Sequence, residues 1–323
     1  MPRLAIVITA VGSVESVERT LVSVLENRPT DCEVFVALNQ PYSDPYDLKD
    51  EVRFVQNDSR SVCQRINQTL AETRAPFVHL LQSGCQVTEG WTDAPLARFG
   101  DRQVGSVAPL VLDLEHGDRI FAAGIGYRPR GKRFLVGAGR NQLTSEMQAE
   151  IIGPGGFAAF YRKAALDLVG GLSARLGAQQ ADVDLALCLA KGGFTVAVEQ
   201  QSRVLASRDV DLPESPFRQA LHDERLFWRN LPAAGRTKTL LAHAVLVGLE
   251  LLSSMPRPRL LAQLAGRAVA YGHLSGHARH RELLKQLNER AIRSRPANQH
   301  LRIDHSHDAP ARTENARARV PVR

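Results

Sequence analysis

The sequence predicts an α/β fold: a mostly parallel central sheet flanked by helices, with a helical C-terminal extension. Three observations predict it. Apolar, β-branched runs alternate with segments of helical period through the first ninety residues, as in a parallel sheet covered on both faces. The connections between these segments are short, which keeps successive elements adjacent. Beyond Ser215 the strand signals vanish and three long helix-period stretches follow.

The elements follow in order. LAIVIT, Leu4 to Thr9, is a continuous apolar run typical of a buried strand, and too short for a signal-peptide core. VESVERTLVSVLEN places Val17, Leu21, Val24 and Leu25 at helical spacing. CEVFVAL, Cys32 to Leu38, is a second strand, ended by Asn39, Gln40 and Pro41. VRFVQN is a third, SVCQRINQTLAET a helix with Val62, Ile66 and Leu70 on one face, and PFVHLLQ a fourth strand. VGSVAPLVLD is another strand, and Asp118 to Lys132 reads as strand and loop. IIGPGGFAAFYRKAALDLVGGL gives a turn, a strand and a helix closed by Gly170 and Gly171. DVDLALCLAKGGFTVAVEQQSRVLAS gives a helix starting near Asp182, a glycine cap and a final strand pair. Ligands of such sheets bind beyond the carboxyl ends of the strands, so a site is expected after Thr9, Leu38 and Leu81.

Residues 1–212 are expected to form the α/β domain, 213–295 a basic helical extension, and 296–323 a disordered basic tail without periodicity. The apolar share, 44%, suffices for a sizeable core. Cys32, Cys63, Cys85 and Cys188 show no CxxC spacing. That excludes a disulfide framework or thiolate zinc site and fits a cytoplasmic protein. Residues 1–214 carry 22 basic and 26 acidic side chains, whereas residues 215–323 carry 19 and 8, a net +11. This asymmetry suggests an anionic membrane surface on the inner face, or else a solubilising tail. Nucleic acid is not expected, since no aromatic interleaving or recognised motif accompanies the charge. LLAHAVLVGLELLSS is too short and polar to span a bilayer. It reads either as an interfacial helix flanked by Arg236, Lys238, Arg257 and Arg259, with His243 and Glu250 on one face, or as a helix packed on the sheet domain. His273, His277 and His280 fall at i, i+4 and i+7, which alone does not make a zinc site.

Several stretches in a fixed order carry a resemblance: QVTEGW; VGSVAPLVLD followed by AAGIGY; GGFAAFYRKAALDLVGGL; ADVDLALCLAKGGFTVAV. Together, over roughly Leu4 to Asp209, they resemble the family 2 glycosyltransferases, whose nucleotide-sugar-binding fold is called GT-A. The resemblance implies sugar transfer from a nucleotide sugar to a glycan or lipid-linked acceptor, with inversion. Such chemistry must recognise the base and neutralise the leaving diphosphate, usually with a divalent cation held by oxygens. It also needs a carboxylate to take the acceptor's proton.

The match is uneven at the ligand-contacting positions. Ala10, Val11 and Gly12 stand where the family has a polar run, and Leu38, followed by Asn39, where it has a base-binding Asp. Gln82, Ser83 and Gly84 replace the family's Asp-x-Asp metal turn, and Ala206 or Ser207 stands near its metal-binding His. The expectation is therefore no cofactor and no divalent metal. Ala181 replaces a Glu, but Asp182 stands where the catalytic base would be, with Asp184 two residues on. Asn39, Gln82, Ser83, Gly155, Gly156 and Asp184 are the candidate nucleotide- or sugar-binding residues, and Lys132, Arg133 and Arg140 candidate diphosphate contacts. Blander readings stand beside these: helix-start carboxylates favoured by the dipole, a commonplace glycine turn, and solvated loop cations. A catalytically inactive scaffold protein, a pseudoenzyme on the same fold, stays open as the alternative function.

Overall fold

The computed structural model describes residues 2–128, 132–231, 235–253, 258–272, 280–287 and 289. The expected tail, and His273 and His277, lie outside the described residues. The chain runs β1 (Leu4–Thr9), α1 (Val14–Asn27), β2 (Cys32–Leu38), β3 (Val52–Gln56), α2 (Val62–Glu72), β4 (Phe77–Gln82) and β5 (Cys85–Val87). It continues through α3 (Asp93–Arg98), β6 (Val104–Asp113), β7 (Ile120–Ala122), β8 (Ile125–Arg128), β9 (Lys132–Leu135), α4 (Ser145–Ala149) and β10 (Ala158–Arg162). It ends in α5 (Lys163–Val169), α6 (Ala178–Lys191), β11 (Thr195–Ala206), α7 (Pro216–Arg229), α8 (Arg236–Ser253) and α9 (Pro258–Tyr271).

The main sheet has the order β3-β2-β1-β4-β10-β6-β11-β5, with β7 beside β6. Neighbours among β1, β2, β3 and β4 are parallel, as are β6 and β11, while β10 is inserted antiparallel between β4 and β6. The lack of alternation in LAIVIT now has its reason. Leu4, Ile6 and Ile8 enter the core under α1, whereas Ala5 and Val7 enter the core under α2 and α6. Each fully buried Leu or Ile contributes roughly 1.5–3 kcal/mol, so both faces of β1 hold the sheet. Ser13 and Ser61 start α1 and α2 by accepting the backbone N–H of Ser16 and Gln64, worth about 1 kcal/mol each.

Two elements differ from the sequence expectation. The final strand pair is one strand, β11, whose register against β6 slips between Glu199 and Arg203. Of the extra residues, Gln200 and Gln201 are exposed, whereas Ser202 is buried and its Oγ donates to the Trp91 carbonyl at 2.6 Å. Helix α6 begins at Ala178, so Asp182 sits in its second turn rather than at its start. Gly177 is the N-cap, and a Cβ there would lie 2.6 Å from His222 Nδ1 and 2.8 Å from Glu214 Oε2. The helix starts where only glycine fits beneath α7.

The extension is helical as expected. A buried charge network ties it together: Glu224 of α7 accepts from His243 of α8, Arg267 of α9 and Trp228 Nε1. The imidazole of His243 also stacks on Phe227, with centroids 3.6 Å apart.

Candidate functional site

A cavity of about 550 Å³ opens at the carboxyl ends of β1 and β4, between α1, α6 and the 3-10 turn Arg208–Asp211 that follows β11. Its floor is the turn Gln82-Ser83-Gly84. Gln82 Nε2 donates to the Val210 carbonyl at 2.8 Å. Ser83 Oγ donates to the Val11 carbonyl at 2.5 Å and accepts the Val11 N–H at 2.9 Å. The Gly84 N–H donates to Thr20 Oγ1 at 3.0 Å, and its carbonyl accepts the Ser207 N–H at 3.0 Å. Gly84 has φ +97°, and a Cβ there would meet Val210 Cγ1 at 2.8 Å. The polar groups of this turn thus clip three segments together, and glycine is required because the last of them passes so close.

Asp182, 2% exposed, forms one inner wall. Arg133 of β9 reaches it with Nε at 3.1 Å from both carboxylate oxygens and Nη2 at 2.9 Å from Oδ2. The Gly156 N–H donates to Oδ2 at 3.2 Å. The other end of the guanidinium binds Asp211 Oδ2 at 2.8 Å, and Gln179 Nε2 steadies Asp211 Oδ1 at 3.1 Å. Burial pushes the Asp182 carboxyl up to about 6, the Arg133 guanidinium and the Gly156 N–H pulling the other way. Burial works against the charge of Arg133, but Asp182 and Asp211 outweigh it and keep the guanidinium protonated. A carboxylate poised near neutrality on a ligand-sized cavity wall can take a proton from a hydroxyl.

The structure places Gln82, Ser83, Gly156 and Asp182 on this wall. Gly155 lies just behind it, its Cβ space filled by the Phe157 ring. Asn39 lines a small recess of about 20 Å³ with Leu38, Pro41 and Tyr42, sharing Gly12 and Ser13 with the main cavity. Asp184 faces away: Arg229 Nε holds both its oxygens at 2.8 and 2.9 Å, and Asn230 donates at 2.8 Å. Two residues along a helix is about 200° of rotation, which explains the split. Arg133 lines the cavity, whereas Lys132 pairs with Glu250 of α8 and Arg140 is exposed outside the wall. Sequence reasoning missed Arg19, Gln179, Asp209, Asp211 and Glu214, which also line it. The signal was the acidic Asp209-Val210-Asp211 run directly after the last strand.

No family model matches the chain, and no curated protein matches it in sequence. Solved structures do match in fold. A mannosyltransferase, PcManGT from Pyrobaculum calidifontis, in complex with GDP-Man and Mn²⁺, superposes with a TM-score of 0.50 at 14% identity, covering 89% of this chain and 87% of that one. GalNAc-T7 with UDP, GalNAc and Mn²⁺ superposes with a TM-score of 0.54 at 12% identity, covering 80% of this chain and 59% of that one. The chain has a GT-A-like glycosyltransferase fold. The cavity lies where the parallel strands of this GT-A-like sheet end.

The expectation of no divalent metal is overturned. Both solved structures hold Mn²⁺. The described residues include two groups, Asp113 with Glu115 and His116, and Asp184 with Cys188 and His280, whose ligand atoms lie within 4.8 Å of one another. The two differ chemically. The Asp184 group already holds the Arg229 guanidinium, which would repel a second cation. In the Asp113 group Glu115 and His116 are exposed, and Arg208 pairs with both carboxylates. On the cavity wall itself, Asp209 is exposed and makes no hydrogen bond or ion pair among the described residues, and the hydroxyl of Ser207 is its near neighbour in the chain. A divalent cation takes about six such oxygens or more, of which Asp209 and Ser207 would supply two. The sequence reading erred by seeking carboxylates only in the turn after β4. The fold brings the acidic segment after β11 against that turn, through the Gln82–Val210 bond.

Proposed function

We propose that the protein is a family 2-type inverting glycosyltransferase, moving a sugar from a nucleotide sugar to a hydroxyl of a glycan or lipid-linked acceptor. The observation that carries this reading is Asp182: a buried carboxyl, raised to about 6, facing a 550 Å³ cavity at the sheet's carboxyl edge. The acceptor hydroxyl gives its proton to Asp182 as its oxygen attacks the anomeric carbon and the nucleoside diphosphate departs. Arg133 orients Asp182 through its Nε and Nη2. The main cavity takes the nucleotide, its base end towards Gly12 and Ser13, which border the recess of Asn39. Asp209 and Ser207 would hold a divalent cation, which when bound neutralises the diphosphate. The four unpaired cysteines support a cytoplasmic setting.

One observation favours a second reading. Arg133 and Gly156 occupy both oxygens of Asp182, as they would in a protein that binds the nucleotide and does no chemistry. Titration of the full chain with a panel of UDP- and GDP-sugars in Mn²⁺, followed by assay for acceptor-dependent release of the nucleoside diphosphate, separates the two. Binding with release supports the transferase. Binding without release from any acceptor mixture supports the scaffold, and the absence of binding rejects both.

A further inference from the structure

Helix α8 is inside out. Its polar residues face the protein: His243 Nε2 lies 3.2 Å from both Glu224 oxygens, and Glu250 meets Arg267 at 2.6 Å and also Lys132. Four of its apolar residues face out. Leu241 is 68% exposed, Val245 54%, Leu249 56% and Leu252 68%. They fall at i, i+4, i+8 and i+11, a single stripe along the helix. On α9, Leu261 is 73% exposed and Leu264 43%. An apolar stripe such as that of α8, held outward by a buried polar network, marks a docking face rather than a scatter of exposed side chains.

The charge around it says what docks. Lys238 lies on the same stripe, one turn before Leu241, and Arg236 and Arg259 are exposed nearby. The acidic residue of α8, Glu250, is turned inward on Arg267 and Lys132. Residues 215–323 carry a net +11. A second copy of this chain would bring like charge against like charge, whereas an anionic bilayer is complementary to both the leucines and the cations. No described helix is long and apolar enough to cross a membrane, so the face lies on a surface rather than through it. We propose that the outer face of α8 is a docking surface for an anionic lipid bilayer, with Leu241, Val245, Leu249 and Leu252 in the interface and Lys238 at the headgroups. The sequence had set His243 and Glu250 on one face, and the structure gives that face to the protein and the leucines to the lipid. The same Glu250 holds Lys132, the neighbour of Arg133, so the docking helix and the cavity wall meet on adjacent residues of β9.

The test is co-sedimentation of the full chain with vesicles of phosphatidylcholine alone and of phosphatidylcholine mixed with phosphatidylglycerol. Binding is expected only to the mixed vesicles and should weaken as salt rises. The double variant Leu241→Glu with Leu249→Glu alters exposed positions, so it should melt with the parent yet bind at least ~tenfold less, since each leucine loses its apolar burial. Should that variant melt early, Leu241→Ser with Leu249→Ser takes its place in the same comparison. Equal binding by parent and variant overturns the proposal and leaves the basic tail as the lipid contact. A parent that ignores both vesicles but sediments as a dimer dissolved by the variant overturns it in favour of self-association.

Discussion

Asp182 and Asp184 show how two positions decide two fates. Asp182 faces the cavity with its carboxyl raised to about 6 by burial, above the usual 3.8. A carboxyl that keeps its proton longer when folded stabilises the fold less as pH rises from 3.8 to about 6, and the loss is complete above that. Melting temperature should therefore fall over that window, and Asp182→Asn should flatten part of the slope. Asp223, also pushed up to about 6 by burial, adds to the slope. Glu224, held down to about 2 against its burial, chiefly by His243 and Arg267, instead adds stability as pH rises towards 4.5. For catalysis the sign reverses: Asp182 accepts a proton only when ionised, so turnover should rise with pH through about 6. Asp184→Asn should leave nucleotide binding intact but destabilise the protein by on the order of 3 kcal/mol, because Arg229 loses its buried partner; chemical denaturation measures this. Asp182 was singled out through the resemblance, which sets a base at its position, and the structure puts its carboxyl on the cavity wall. Asp209 and Asp211 were not, because their place on the wall depends on β11 lying beside β6 and β5, which no local pattern states.

Among the elements, strands β1, β2 and β4 were legible because burial on both faces leaves unbroken apolar runs. The start of α6 was not, since Gly177 is chosen by His222 and Glu214 of a later segment. The turn after β4 makes the same point. Its sequence lacks carboxylates, and the structure shows its polar groups spent on Val11, Thr20, Ser207 and Val210. Gly84→Ala should destabilise by on the order of 2 kcal/mol, combining a positive φ with a contact on Val210. Because the turn also sets the cavity floor, nucleotide affinity should fall with it. A variant as stable as the parent in a urea melt would contradict this description of the turn.

At the scale of the whole molecule, the proposed cation ligand Asp209 and the proposed base Asp182 line one cavity. Binding of a nucleoside diphosphate should tighten with Mn²⁺ and weaken with a chelator. Asp209→Ala should remove most of that dependence, while a substitution at Asp113 tests its group in the same titration. If neither variant alters the Mn²⁺ response, the ligands lie elsewhere. The helical extension pairs with β9 through Lys132–Glu250, one residue from Arg133 on the cavity wall.

The central claim is that Asp182 takes the acceptor's proton. The most direct test is single-turnover release of nucleoside diphosphate, with the nucleotide sugar that binds and its acceptor, by the parent and by Asp182→Asn. Asn keeps the shape and removes the basicity, so the rate should drop about a hundredfold or more while nucleotide-sugar affinity holds. The parent's rate should rise through about pH 6, and the variant's should not. Full turnover by Asp182→Asn, with an unchanged pH profile, would contradict the account.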